Sequence, residues 1–337
     1  MSILRIGFIG TGGIGTHHAQ GMRGHPDCFS LMAASDIHPP SLQRFADAFQ
    51  IADRHEDYRR ILEDPRIDAV VVLLPHHLHA QVCDEAFAAG KHVLVEKPIA
   101  RTLAEADRII ASARRHGKTL MIGHNQRYDG RHRGIRDLLD QGALGRVFSA
   151  RIDHYQDFNP APGSWWRSRE CVGGGCVIGS GIHRLDLLRW FLGEAKEITS
   201  QLTWDPQRLE GELSCASTIR FQQGAVAQFL CNWGVHRCTH SESFALYGQH
   251  GSVEIAGYNP ATAFLPPQHS PSLLVDHPPE SMWKHFHRCV STGQEPLTSG
   301  AEGRASLALV LDVVRSGELG VTIRPEAPQA TALSATA

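Results

Sequence analysis

The stretch GFIGTGGIG, from Gly7 to Gly15, constrains this chain more than any other. Gly10, Gly12 and Gly15 spell G-x-G-x-x-G after an apolar, strand-like run, ILRIGFIG, and at the head of a helical one, IGTHHAQGMRG. Each glycine then has its own duty. The first permits a tight turn, the second lets the backbone approach a pyrophosphate, and the third lets helix and strand pack closely. The helix N-terminus faces the phosphates with unpaired N–H groups. A second strand-like run, FSLMAASD, ends on Asp36, about 20 residues further on, where a carboxylate can hold a ribose 2′-OH. Strand, glycines, helix, strand and acid in that order predict dinucleotide binding. Asp36 would repel a 2′-phosphate, and Ile37, His38, Pro39 and Pro40 add no arginine or lysine, so NAD is favoured over NADP.

The β-then-α texture continues to about residue 124. SLQRFADAF reads as a helix with Ser41 as N-cap, IDAVVVLLP as a buried parallel strand, and AQVCDEAFAAG as a helix ended by Gly90. KHVLVEKP, TLAEADRIIASARRHG and KTLMIGHN follow as strand, helix capped by Thr102, and strand. This predicts a doubly wound parallel sheet over residues 1–124. Beyond it, RVFSARIDHYQDF, LSCASTIRF, GAVAQFLCNWGV and SFALYGQHGSVEIAGY read as longer strands with turns between them. HRLDLLRWFLG and SLALVLDVVRSGELG read as helices. The expected fold is α/β: an N-terminal Rossmann sheet plus a C-terminal α+β domain, residues 125–326, with a large, mostly antiparallel sheet. Residues 327–337, rich in Ala, Pro and Thr, read as a flexible tail.

Charge excludes some partners. A net charge of −2 with no basic block argues against nucleic acid and against a membrane surface. No apolar run approaches the roughly 20 residues of a membrane span, and MSILRIGFIG has no signal-peptide pattern. The 8 cysteines form no C-x-x-C pair, which suits reduced thiols in the cytoplasm. The 21 histidines raise the question of a metal. His76, His77 and His79, and His236, Cys238 and His240, lie close in sequence. Neither group has a zinc-finger spacing or a general-base glutamate on a helix, so no metal site is expected.

VLVEKPIA sets Glu96 and Lys97 at the carboxyl end of a strand, where open α/β sheets bind ligands. A lysine partly desolvated there, beside a nicotinamide, has a lowered pKa and can exchange a proton with a substrate hydroxyl. Later, GGGCVIGSGIHRLD runs from Gly173 to Asp186. Asp186 lies one helical turn from His183 and either orients the imidazole, binds substrate or contacts Arg189. Trp165, Trp166 and Arg167 suit a sugar ring, or else pack between the two parts of the chain. Asn125 and Arg127 border the crossing between those parts, and His236 is a further candidate for reaching substrate.

Taken together, GFIGTGGIGTHHA, VVVLLPHHLHA, AGKHVLVEKPIA and WWRSRECVGGGCVIGSGIHRLDLLRWFLG resemble the glucose–fructose oxidoreductase / inositol dehydrogenase (Gfo/Idh/MocA) family. FQQGAVAQFLCNW, ALYGQHGSVEI and GRASLALVLDVVRSGELGVTI extend the resemblance over nearly the whole chain. It implies an NAD(P)-dependent dehydrogenase of sugars, cyclic polyols or derived hydroxy compounds. It also implies a homodimer or homotetramer built through the C-terminal sheet. Lys97 matches the family's lysine in E-K-P, with Glu96 beside it at the cofactor, and His183 matches its histidine in G-x-H. His79 matches the histidine of P-N-x-x-H, and His76 replaces the asparagine near the nicotinamide ribose. Arg127 matches a frequent arginine.

One departure matters most. The family's catalytic aspartate falls four residues after the last of the three glycines, and here that residue is Gly179. Three readings follow. The chain is a dehydrogenase with His183 as base and Lys97 as polarising group, the gap filled by Asp153, His154 or Tyr155. Or NAD oxidises a carbon transiently to allow elimination or glycoside cleavage. Or the protein binds NAD and a ligand without turnover.

Overall fold

The computed structural model describes residues 2–325, apart from 238–240, 258, 266–272, 276 and 278–279. The first six strands are β1 (Leu4–Ile9), β2 (Phe29–Ser35), β3 (Asp53–His55), β4 (Ala69–Val72), β5 (His92–Val95) and β6 (Leu120–Ile122). They form one parallel sheet in the order β3-β2-β1-β4-β5-β6. The order reverses direction between β1 and β4, so the crevice of a doubly wound sheet opens there, beyond the carboxyl ends. Gly10, Leu73, Glu96 and Gly123 each follow one of these strand ends.

Alternation along the strands assigns two faces. Val70, Val72, Val93 and Val95 point into a core shared with the second half of the chain. Ile6, Phe8, Val71, Leu94 and Met121 point the other way, into a second core. All nine are buried, as strands covered on both faces require.

The remaining strands are β7 (Val147–Tyr155), β8 (Ala195–Trp204), β9 (Glu212–Phe221), β10 (Val226–Asn232), β11 (Glu242–Gly248), β12 (Ser252–Ala256), β13 (Ala261–Phe264) and β14 (Leu273–Val275). They build an eight-stranded sheet in the order β14-β13-β12-β11-β7-β10-β9-β8. Only β7 and β10 pair in parallel; the other neighbours are antiparallel. One face is buried against the helices Ile182–Leu192 and Gly300–Leu319. The outer face shows Phe148, Trp204, Leu230 and Tyr247, all exposed.

One expectation needs correction. The helix after β2 begins at Pro39 and is capped by the His38 ring, which accepts from Ser41 N–H. The two prolines occupy its first turn, where a missing N–H costs nothing, so Ser41 lies inside the helix. A later segment also crosses the boundary expected at residue 124. Met282 and Phe286, on the helix Met282–Thr292, sit in the core of the first sheet, and Ile122 N–H bonds Thr298 O at 2.8 Å. The chain therefore returns to the first sheet near its end. The strand β8 occupies Ala195–Trp204, a stretch with no strand expectation of its own. The tail at 327–337 lies outside the described residues.

Candidate active site

Gly10 has φ +97°, and a Cβ there would lie 2.4 Å from the Leu73 carbonyl oxygen, so only glycine fits. Gly15 packs against Gly10 O and Phe45. Gly12 is different: no atom lies within 4 Å of where its side chain would begin. It is also the N-cap of the helix Gly13–Arg23, whose first turn has no side-chain cap. Unpaired N–H groups thus face open space, which is what a pyrophosphate needs. Asp36 accepts from Thr11 N and Oγ1, both at 2.8 Å, and from His38 N at 2.9 Å. An ionised carboxylate offers about four acceptor positions, so room remains for one ribose hydroxyl. The cradle fits a dinucleotide.

Lys97 leaves the end of β5 through a cis bond to Pro98. Its Nζ donates to the Gly179 carbonyl at 2.7 Å. Gly179 lies in a π-helical turn, Val177–Gly181, that leads into the helix carrying His183. Such turns recur at functional sites. The lysine strand and the histidine helix are therefore joined at the position expected to hold an aspartate. Burial lowers the Lys97 pKa, Glu96 opposes that, and Arg184 adds to it. Burial, then the Lys97 and Arg184 charges, hold His183 well below the ordinary histidine value. His183 is thus a neutral ring near neutral pH, with a buried Nδ1 that has no partner.

The room of the absent carboxylate is filled. A Cβ on Gly179 would lie 2.3 Å from the Trp233 indole and 3.2 Å from Trp166. Trp233 is 2% exposed, and its Nε1 donates to Ser180 Oγ at 2.6 Å. The other glycines of this stretch also meet protein. A Cβ on Gly175 would fall 2.1 Å from the Glu212 carbonyl oxygen, and one on Gly181 2.8 Å from Phe229. The Glu212 carboxylate accepts from Val177 N–H at 2.9 Å and closes the start of the turn.

Several expected site residues are engaged elsewhere. Arg127 and Asp186 are both buried and form a bidentate pair, at 2.8 and 2.7 Å; Arg127 also reaches Glu302 at 2.9 Å and Asp186 takes Ser306 at 2.6 Å. Neither is placed to touch substrate, because the pairing that makes their burial affordable uses their polar atoms. Arg189 pairs with Glu302 and Glu194 instead of Asp186. Trp166 stacks on Trp165, 4.1 Å between centroids, and meets Phe158, Trp233 and His76 edge-on. It is half-buried and packs as much as it presents. Arg167 turns outward to the Gln207 carbonyl. The His236 side chain is 85% exposed and pairs with Asp157 at 2.9 Å. Tyr155 is half-buried at the end of β7, its N–H on Ser241 O at 2.7 Å.

On the cofactor side, His79 is buried with its ring nitrogens 2.9 Å from the Pro98 and Leu74 carbonyls. It ties the loops after β4 and β5 together and has no nitrogen left for a cofactor. His76 bonds the Val172 carbonyl at 2.8 Å and leans on the two tryptophans, which joins the first sheet to the glycine turn. Glu96 Oε1 bonds His18 Nε2 at 2.9 Å and its Oε2 accepts from the Lys97 N–H at 3.1 Å, so it backs the lysine instead of meeting the cofactor. Asp153 is held by Arg151 and Ser243, at 2.9 and 2.8 Å. Among the described residues no group of three or more His, Cys, Asp or Glu side chains could hold a metal ion; Cys238 and His240 lie outside them.

Three residues went unread in the sequence. Trp233 carried no local signal. His124, 1% exposed and edge-on to His183 at 6.2 Å, has no hydrogen-bond partner on either nitrogen. His18 did leave a trace: it falls on the buried stripe Gly15, His18, Ala19, Met22 of its helix.

A nucleotide cradle and a lysine–histidine pair across one crevice define an NAD-binding oxidoreductase. Residues 4–124 match the oxidoreductase family with an NAD-binding Rossmann fold, and residues 132–254 match the GFO/IDH/MocA C-terminal domain. The chain belongs to the GFO/IDH/MocA family. It is 34% identical over 231 residues to 1-carboxy-3-chloro-3,4-dihydroxycyclohexa-1,5-diene dehydrogenase of Comamonas testosteroni, a match taking in 68% of this chain and 54% of that one. The chain thus spans about half of that relative. It is 27% identical over 320 residues to myo-inositol 2-dehydrogenase of Thermotoga maritima, covering 91% and 94% of the two chains. Among solved structures, an aldose-aldose oxidoreductase from Caulobacter crescentus complexed with glycerol superposes with a TM-score of 0.87 at 27% identity, over 96% of this chain and 100% of that one. No helix among the described residues is long and apolar enough to cross a membrane.

Proposed function

We propose that the chain oxidises a secondary hydroxyl of a sugar, a cyclic polyol or a related hydroxy compound, or runs the reverse reduction. The observation that carries this is the Lys97–Gly179 bond at 2.7 Å, which sets a cationic donor beside the turn that leads into the His183 helix. Bound NAD supplies the hydride acceptor. Gly10, Gly12, Gly15 and Asp36 hold it, and Lys97 and His183 do the acid–base work. In oxidation, Lys97 exchanges its carbonyl partner for the substrate oxygen and stabilises the charge that grows there. His183, neutral because it is buried among cations, takes the hydroxyl proton. Trp166, half-buried beside Gly179 and backed by His76, offers an aromatic face that suits the apolar side of a sugar ring, with Tyr155 a further candidate for that wall.

The test is NADH formation from NAD across monosaccharides, inositols and anhydro-sugars. Lys97→Ala should cut kcat/KM by about 100- to 1,000-fold while NAD still binds. The pH profile has a defined sign. Oxidation rises with pH through the lowered His183 value, so its acid limb lies below that of an ordinary histidine. It falls again as Lys97 loses its proton, earlier than an ordinary lysine would. An acid limb at or above the ordinary histidine value would remove His183 as the base.

A second reading rests on the indole at Gly179. Without a carboxylate in the relay, the site suits transient oxidation followed by elimination, and this reading predicts product without net NADH. The exposed Phe148, Trp204, Leu230 and Tyr247 on the outer face of the large sheet support self-association, as a dimer or tetramer. The cysteines among the described residues are all free, which suits a cytoplasmic site of action.

A further inference from the structure

Lys97 carries its charge into a partly closed crevice, and Gly179 offers it no anion. Arg184 is a second cation that acts on the ammonium, and the groups that feel the Lys97 charge in turn, His76, His124, His154 and His183, are rings and not carboxylates. Among the described residues, Glu96 is the one carboxylate that acts on Lys97 to hold its proton.

Glu96 is only 9% exposed, and burial favours its neutral form. The contact with His18, then the Lys97 charge and the Lys97 N–H, reverse that and hold the carboxyl below the ordinary value. His17, His79 and His124 are the other groups that face it. His18, its main donor, is wholly buried, so its tautomer is set by its neighbours. An indole N–H can only donate. Trp283 Nε1 donates to His18 Nδ1 at 3.3 Å. Nδ1 is therefore the bare nitrogen, and Nε2 bears the hydrogen that meets Glu96. The opposite tautomer would aim a lone pair at the carboxylate. Trp283 stands 265 positions from His18, on the helix that returns to the first sheet. Its ring lies against Gly21, where a Cβ would fall 2.2 Å from the indole, so any larger residue would push it away.

We infer that Trp283 is a positioning residue for the reactive lysine: it fixes the His18 tautomer, His18 then presents its Nε2–H to Glu96 Oε1, and Glu96 supplies the counter-charge that Gly179 does not. The inference rests on the role given to Lys97 in the proposed function.

Three variants of the full chain test it. His18→Leu removes both bonds. His18→Gln keeps them, because an amide accepts at oxygen and donates at nitrogen, yet it cannot titrate. Trp283→Phe keeps a ring over Gly21 and removes the N–H. With no donor from His18, burial drives Glu96 toward its neutral acid, and Lys97 then gives up its proton at lower pH. In His18→Leu the alkaline limb of kcat/KM should move down by about one pH unit, a tenfold loss of rate above it. In His18→Gln it should return to within about 0.3 unit of the parent, a twofold change. In Trp283→Phe, ¹⁵N NMR of the histidine rings, without substrate, should show His18 leaving its single Nε2–H tautomer. Matching profiles for His18→Leu and His18→Gln would mean that the ring only fills space and would overturn the inference. An unchanged tautomer in Trp283→Phe would overturn it as well. If no sugar or polyol is turned over, the proposed function fails, and the NMR measurement still decides the role of Trp283.

Discussion

Two glycine-rich turns open helices in this chain, and they use the same residue for opposite ends. In the turn Gly10–Gly15 the middle glycines leave space: Gly12 and Gly13 face nothing within 4 Å, while Gly10 and Gly15 on either side meet the protein. At Gly173–Gly181 the space is taken: Gly175 abuts the β9 backbone, Gly179 the Trp233 indole, and Gly181 the Phe229 ring. The first turn is hollow at its centre and suits a ligand, the second is packed and supports. A glycine in sequence announces close approach. It does not say whether the approaching group is a ligand or the protein itself.

The largest effect that would break this comparison is at Gly175. An added methyl meets backbone, which cannot step aside, so Gly175→Ala should cost about 3 kcal/mol, at the upper end of overpacking penalties. The denaturant midpoint reads it, and a midpoint equal to the parent's would show the turn to be looser than described. Gly179→Ala meets a side chain instead and should cost about 2 kcal/mol. Much of that should vanish when Trp233 is shortened to Leu. A double-mutant cycle measures the coupling, expected at about 1 kcal/mol; additive penalties would mean that the two residues do not compete for the same space. Gly12→Ala should do the reverse. Stability stays within about 0.5 kcal/mol, as for an exposed position, while NAD binding weakens about tenfold or more, near 1.4 kcal/mol. Calorimetry with NAD separates the two, and a stability loss without an affinity loss would place Gly12 with the packed turn. The smallest effect is at Arg167. Its outward contact to Gln207 predicts kcat/KM within about twofold on Arg167→Ala, since a surface contact contributes little; a large rise in KM would return it to the substrate site.

What was legible follows from distance along the chain. Gly10, Asp36 and Lys97 announce themselves because strand, turn and helix are local, and the carboxyl ends of parallel strands converge by topology. The parallel and the mostly antiparallel sheets were legible for the same reason, through the spacing of apolar runs. Arg127 and Asp186 each read as polar residues at a cleft. Their mutual pairing, across 59 positions, is a tertiary fact that no local pattern encodes. The indole at Gly179 is another: Gly179 shows that something is missing, and only the fold shows Trp233 in its place. The absence was readable, and the occupant was not.

The return of the Met282–Thr292 helix bears on how such a chain can be divided. Met282, Trp283 and Phe286 serve the first sheet from the far end of the sequence. A fragment ending at residue 124 would bare an oily groove where they dock and would leave the His18 ring without its indole. The two halves are therefore not interchangeable cassettes. A chimaera that swaps the nucleotide-binding half of this protein must carry that distant helix with it, or it will inherit a lysine whose surroundings belong to neither parent.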